Sequence, residues 1–196
     1  MAAAKASQFN SVPDTFLTNM QPGHGKNYFE LFELPVQFEV NVADLNARYR
    51  KLQQQFHPDR YASGSDQEQR MAMELTASIN EGLRILKDPV NRGRYLLELS
   101  GVSVDQETDT VMDPAFLVEQ MELRERLDSI KHVSNATAAL IALSREVDQL
   151  YRYRVDELAI ELKTDGELQK ARSIIRELQF LQKLRAQIEE TEEILL

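Results

Sequence analysis

The amino-acid sequence predicts an all-α protein. Apolar residues recur at three- and four-residue spacing through almost every segment after residue 26, the period of a helix with one buried face. Glycine and proline are scarce, 7 and 6 among 196 residues, which suits helices better than a turn-rich β fold. No segment recommends a strand.

The elements follow in order. Residues 1–26 show no sustained period, open on Met-Ala-Ala-Ala and close on Pro22-Gly23-His24-Gly25; they are read as a flexible extension outside the fold. "YFELFEL" (28–34) predicts a short apolar helix stopped by Pro35. Asn41 with Asp44 has the spacing of a capping box. In the helix that follows, Val42, Leu45, Tyr49, Leu52 and Phe56 share a face. A loop over 57–64 leads to Ser65 and Glu68, a second such box, and to a longer helix buried through Leu75, Ile79, Leu83 and Leu86. Asp88-Pro89 supplies a cap and a first-turn proline, and a short helix runs to about Ser100-Gly101.

Residues 101–112 are acidic and without helical period, and read as a linker. Asp113-Pro114 is again a cap with proline, and helices are expected over 114–131, 135–163 and 165–195. The short connections "HVSN" and "TDGE" imply antiparallel neighbours. The expected organisation is an extension (1–26), a first helical domain (27–100), the linker (101–112) and a three-helix bundle (113–196).

Composition excludes several chemistries. With no cysteine the chain offers no disulfide, thiolate metal site or thiol nucleophile. Three scattered histidines, His24, His57 and His132, do not form a metal site by spacing, and no cofactor is expected. The formal charge of −9 argues against general nucleic-acid binding, and its acidity is concentrated in residues 101–196, with 12 basic and 20 acidic residues. No apolar run reaches the length of a membrane span. A cytoplasmic protein is the expectation, with neither nucleic acid nor membrane as partner.

"LQQQFHPDRYASGSDQEQ" (52–69) places a proline where a helix would otherwise continue. Pro58 has no backbone donor and disfavours helical backbone at His57, so the helix ends there and His57 and Asp59 stand on a turn between two helices. A capped interhelical loop is one reading. A hydrolase with His57 as base and Asp59 as its orienter is another, but it lacks a nearby nucleophile or oxyanion site. Arg50 and Lys51 lie about 140° and 120° from Leu45, in opposite directions around the helix, and point away from the core. With Arg48 on the flank and Arg60 past the loop, they form a basic strip on an acidic protein, suited either to solvent or to an acidic partner.

"YFELFEL", this basic helix, "HPD" and "INEGLRILKDPVNRGRY" (79–95) stand in the order and spacing of a J-domain, which they resemble over about residues 27–96. J-domains are co-chaperones that stimulate ATP hydrolysis by Hsp70 chaperones. The resemblance implies Hsp70 contact through His57, Pro58 and Asp59, with Arg48, Arg50, Lys51 and Arg60 as its basic face, and no enzymatic activity of the chain's own. Two positions depart from the pattern: Glu33 stands where glycine is common and Leu83 where an aromatic is common.

In the second half, Phe116, Leu123, Leu127 and Ile130 form the core stripe of helix 114–131. Leu117 and Met121 sit about 100° and 140° from it. Ile174, Leu178, Leu181, Leu184 and Ile188 share a face of the last helix, and Phe180 lies about 100° from its centre. These three large apolar residues are candidates for exposure: either a wide core stripe buries them inside the bundle, or they join into one protein-binding patch with a charged rim. "YLLELSG" (95–101), "DPAFLVEQMELRERLD" (113–128) and "IRELQFLQKL" (175–184) resemble HscB-type J-proteins, co-chaperones of iron–sulfur cluster assembly. The resemblance implies an HscA-type Hsp70 and an IscU-type scaffold protein as partners. It makes Leu117, Met121 and Phe180 scaffold contacts, with Glu122, Arg124 and Glu125 at the rim. A J-protein serving another client is the alternative.

Overall fold

The structure, a computed structural model, describes residues 27–102, 104, 114–163 and 168–195. The expected extension, most of the linker and the "TDGE" turn lie outside the described residues. Those that are described are helical, with no strand among them. The helices are α1 (Tyr28–Leu31), α2 (Val42–Phe56), α3 (Asp66–Lys87), α4 (Pro89–Leu99), α5 (Pro114–Ser129), α6 (Ala136–Glu161) and α7 (Leu168–Leu195), with 3-10 turns at Pro58–Tyr61 and Ile130–His132. They form two compact units.

In the first unit α2 and α3 pack side by side and α1 lies on α3. Phe29, Leu31, Phe32, Leu45, Phe56, Ala72, Leu75, Ile79 and Leu86 are its buried side chains. Gly82 of α3 permits the close approach of α1, because a Cβ there would stand 2.8 Å from the Phe32 ring and 2.9 Å from that of Tyr28. α1 is capped by a reciprocal Asn27–Glu30 box. It is shorter than the seven-residue apolar run suggested, because Glu33 takes the left-handed conformation, φ 53°. The Leu34 amide reaches back to the Phe29 carbonyl at 2.8 Å, closing a helix-ending motif that usually holds glycine. The position where the J-domain pattern commonly has glycine is therefore one whose backbone favours glycine.

The second unit comprises residues 37–39 and 88 onward. Its long helices run antiparallel: Arg154 pairs with Glu177 at 2.7 Å, and six residues earlier on α6 Asp148 pairs with Arg185, farther along α7, at 2.8 Å. One core joins Phe116, Leu123, Leu127 and Ile130 to Leu140, Leu143 and Val147 of α6 and to Phe180, Leu181, Leu184 and Ile188 of α7. The other joins Val90 and Leu97 of α4 to Leu158, Ala171, Ile174, Ile175 and Leu178.

By contact the described residues divide at Asp88, ahead of the domain boundary expected at residue 100. α4 packs on α7 and belongs by contact to the second unit, which begins at Asp88. Asp88 caps α4 by accepting from the Asn91 amide at 2.8 Å, and it also accepts from Gln182 Nε2 of α7 at 3.0 Å. Gly93 sits where a Cβ would come within 2.8 Å of Leu158. The cap at Asp88-Pro89 was readable in sequence; the helix it faces was not.

Candidate functional site: the His57 corner and the α5 face

α2 stops at Phe56 and His57 leaves it at φ −59°, ψ 132°. This is the extended backbone that a following proline imposes. Pro58 then starts the 3-10 turn. The Arg60 amide donates to the His57 carbonyl at 3.0 Å and the Asp59 amide to His57 Nδ1 at 3.3 Å. The His57 side chain is 53% exposed and that of Asp59 90%. Gln69 Nε2 of α3 donates to the Ala62 and Gly64 carbonyls at 3.2 and 3.1 Å. Ser65 and Glu68 close their reciprocal cap through contacts of 2.7 to 3.3 Å. The corner is exposed, and both its ends are hydrogen-bonded.

This geometry also bears on chemistry. A carboxylate that orients a catalytic imidazole accepts from its Nδ1–H. Here Nδ1 accepts from the Asp59 backbone amide at 3.3 Å, and the Asp59 carboxylate stands 3.6 Å from Nδ1, beyond hydrogen-bond distance. The pair lacks the arrangement of a base and its orienter.

The four cations divide. Arg48 is half-buried and occupied: it donates to Asp44 at 2.9 Å and to the Phe32 and Glu33 carbonyls at 3.1 and 3.0 Å, fastening the end of α1 to α2. Arg60 turns back to the Gln54 carbonyl at 3.0 Å, serving the C-terminus of α2. Arg50 and Lys51 are exposed and make no ion pair among the described residues. The free positive charge near the corner is therefore narrower than the strip read from sequence.

On α5, Leu117 and Met121 are exposed, Met121 at 71%. Glu122, Arg124 and Glu125 are exposed around them. Phe180 is a correction: it is 7% exposed and part of the bundle core. Its ring meets that of Phe116 edge to face at 5.8 Å, and the Arg124 guanidinium lies 5.1 Å over it. α7 packs against α4, α5 and α6, so a residue about 100° off its main stripe meets another helix instead of water. Sequence reasoning passed over Val118, which is 55% exposed. It lies about 150° from the core stripe, so the angular test that found Leu117 also applies to it. The exposed apolar face is thus Leu117, Val118 and Met121, with Arg124 between it and the buried Phe180.

The profile described as the HSCB C-terminal oligomerisation domain matches residues 112–189. The co-chaperone protein HscB homolog of Shewanella amazonensis is 40% identical over 176 residues, covering 87% of this chain and 99% of the relative. The chain belongs to the HscB co-chaperone family. The solved structure of chaperone HscB from Vibrio cholerae, 40% identical, superposes with a TM-score of 0.79 over 87% of this chain and all of that one. Human co-chaperone protein HscB, 27% identical, superposes at 0.80 over 88% of this chain and 85% of its own. The all-α architecture is that of these relatives. Among the described residues no helix is long and apolar enough to cross a membrane.

Proposed function

We propose that the chain is a bivalent co-chaperone. Its α5 face holds an IscU-type iron–sulfur scaffold protein, and its His57-Pro58-Asp59 corner engages an HscA-type Hsp70 and stimulates ATP hydrolysis there. In this reading the first unit acts as the J-domain and the second as the scaffold-binding domain. The chain works in the cytoplasm and performs no chemistry of its own; ATP and the cluster belong to the partners.

The observation that carries the reading is the His57 corner: an imidazole and a carboxylate exposed at a proline-forced turn. Arg50 and Lys51 on α2 supply charge that draws an acidic surface and raises the rate of encounter. Leu117, Val118 and Met121, with charged neighbours, have the anatomy of an apolar contact with a polar rim. Carrying both partners on one chain raises their effective concentration toward each other. Stimulation requires that the corner bind the hydrolysis-competent state of Hsp70 better than the other state.

The test is the steady-state ATPase rate of an HscA-type Hsp70, with the chain added in the presence and absence of an IscU-type scaffold. The expected result is a rise with the chain and a larger rise with both. A J-protein for another client would stimulate equally with and without the scaffold and fail to bind it.

A further inference from the structure

We infer that Thr76 of α3 is a positioning residue for the His57 corner: its hydroxyl, donating to the Phe56 carbonyl at 3.0 Å, sets the direction from which His57 is presented. The inference rests on the co-chaperone reading for its consequence but not for its geometry.

A helix leaves its last carbonyls without internal partners. At the end of α2 the Gln54 carbonyl is taken by Arg60 and the Phe56 carbonyl by Thr76. The second of these lies in the peptide unit that leads directly into His57. Each residue has two soft torsions. Pro58 restrains the torsion after the His57 Cα and fixes its own φ. The backbone torsions left to redirect the His57 side chain are those on either side of the Phe56–His57 peptide plane, and a hydrogen bond to that plane's carbonyl restrains both; the ring's own torsions are held by the Asp59 amide on Nδ1. Proline holds one side of His57, and the threonine hydroxyl holds the other.

A serine or threonine inside a helix commonly turns its hydroxyl to a carbonyl of its own helix. Ser78, one half-turn further along α3, does so, donating to the Glu74 carbonyl at 3.0 Å. Thr76 instead reaches across to α2, a separation of 20 residues. The Phe56 side chain beneath it is fully buried, so the peptide being held is anchored on its core side as well.

Thr76→Val removes the donor at nearly constant shape, Thr76→Ser keeps it, and Ser78→Ala removes a hydroxyl that does not reach the corner. Two readouts are taken on the full chain: Hsp70 ATPase stimulation as a function of chain concentration, and hydrogen exchange of the Asp59 and Arg60 amides, whose bonds end on His57. Thr76→Val is expected to lower maximal stimulation by about fivefold, the equivalent of one ordinary hydrogen bond. Its half-maximal concentration stays within about twofold, because Arg50 and Lys51 still govern encounter. Its corner amides exchange faster than in the wild type. Thr76→Ser restores both readouts, and Ser78→Ala changes neither. The inference is overturned if Thr76→Val matches the wild type in corner exchange, if Thr76→Ser is as impaired as Thr76→Val, or if Ser78→Ala gives the same loss. A wild-type chain that fails to stimulate Hsp70 would sink the co-chaperone reading alone, since the exchange comparison still decides the role of Thr76.

Discussion

The His57 corner and the α5–α7 face were both proposed from sequence as binding surfaces, and the structure treats them differently. At the corner the helix stop, the turn and the exposed imidazole and carboxylate are in place, while Arg48 and Arg60 of the expected basic strip are tied to backbone carbonyls. On the bundle, Leu117 and Met121 are exposed while Phe180 is buried. A proline acts on its immediate neighbours, so its effect can be read locally. Whether a helical residue faces water depends on how many helices surround its own, and α7 has three.

That contrast can be broken by mutation. The largest expected effect is at the corner: His57→Gln should reduce Hsp70 stimulation to the unstimulated rate, with scaffold affinity and thermal midpoint unchanged. Loss of scaffold binding in a folded His57→Gln chain would contradict the separation of the two surfaces. Next is Phe180→Ala, which empties a core position and should cost about 3–5 kcal/mol in denaturant unfolding. It reports on the bundle before it reports on binding. The cleaner probe of the face is Leu117→Ala with Met121→Ala, expected to weaken scaffold affinity about tenfold, roughly 1.4 kcal/mol, in calorimetry without moving the midpoint. Neutral stability with a selective loss of scaffold binding in Phe180→Ala would contradict the core role of Phe180.

Gly93→Ala should destabilise by about 1–3 kcal/mol through overpacking against Leu158, and it tests the assignment of α4 to the second unit. The smallest effect concerns Glu146, whose hydrogen bond to Arg126 holds its carboxyl below the usual range. A depressed carboxylate contributes stability that is present above its unfolded pKa and lost as pH falls through its folded one. Arg126→Ala should therefore lose at most about 1 kcal/mol near neutrality, with the difference from wild type vanishing in acid unfolding curves.

Much of the fold was legible, for identifiable reasons. The caps read at Asn41, Ser65 and Asp88 satisfy helix starts through their own side chains, and such signals are local. The stripes Phe116–Ile130 and Ile174–Ile188 lie in the core as their spacing implied. What escaped were long-range facts. Arg48 could not be seen to clip the end of α1 through two carbonyls, nor α4 to pack on α7, because both depend on partners distant in sequence. Glu33 was noticed only as a departure from a pattern; its positive φ gives that departure a backbone meaning.

The most direct measurement of the central claim is Hsp70 ATPase stimulation by the wild-type chain and by His57→Gln, each with and without the scaffold protein. The account predicts stimulation by the wild type, enhanced by scaffold, and none by His57→Gln even when scaffold is saturating. Undiminished stimulation by His57→Gln would show that the exposed corner is not the contact through which this chain acts.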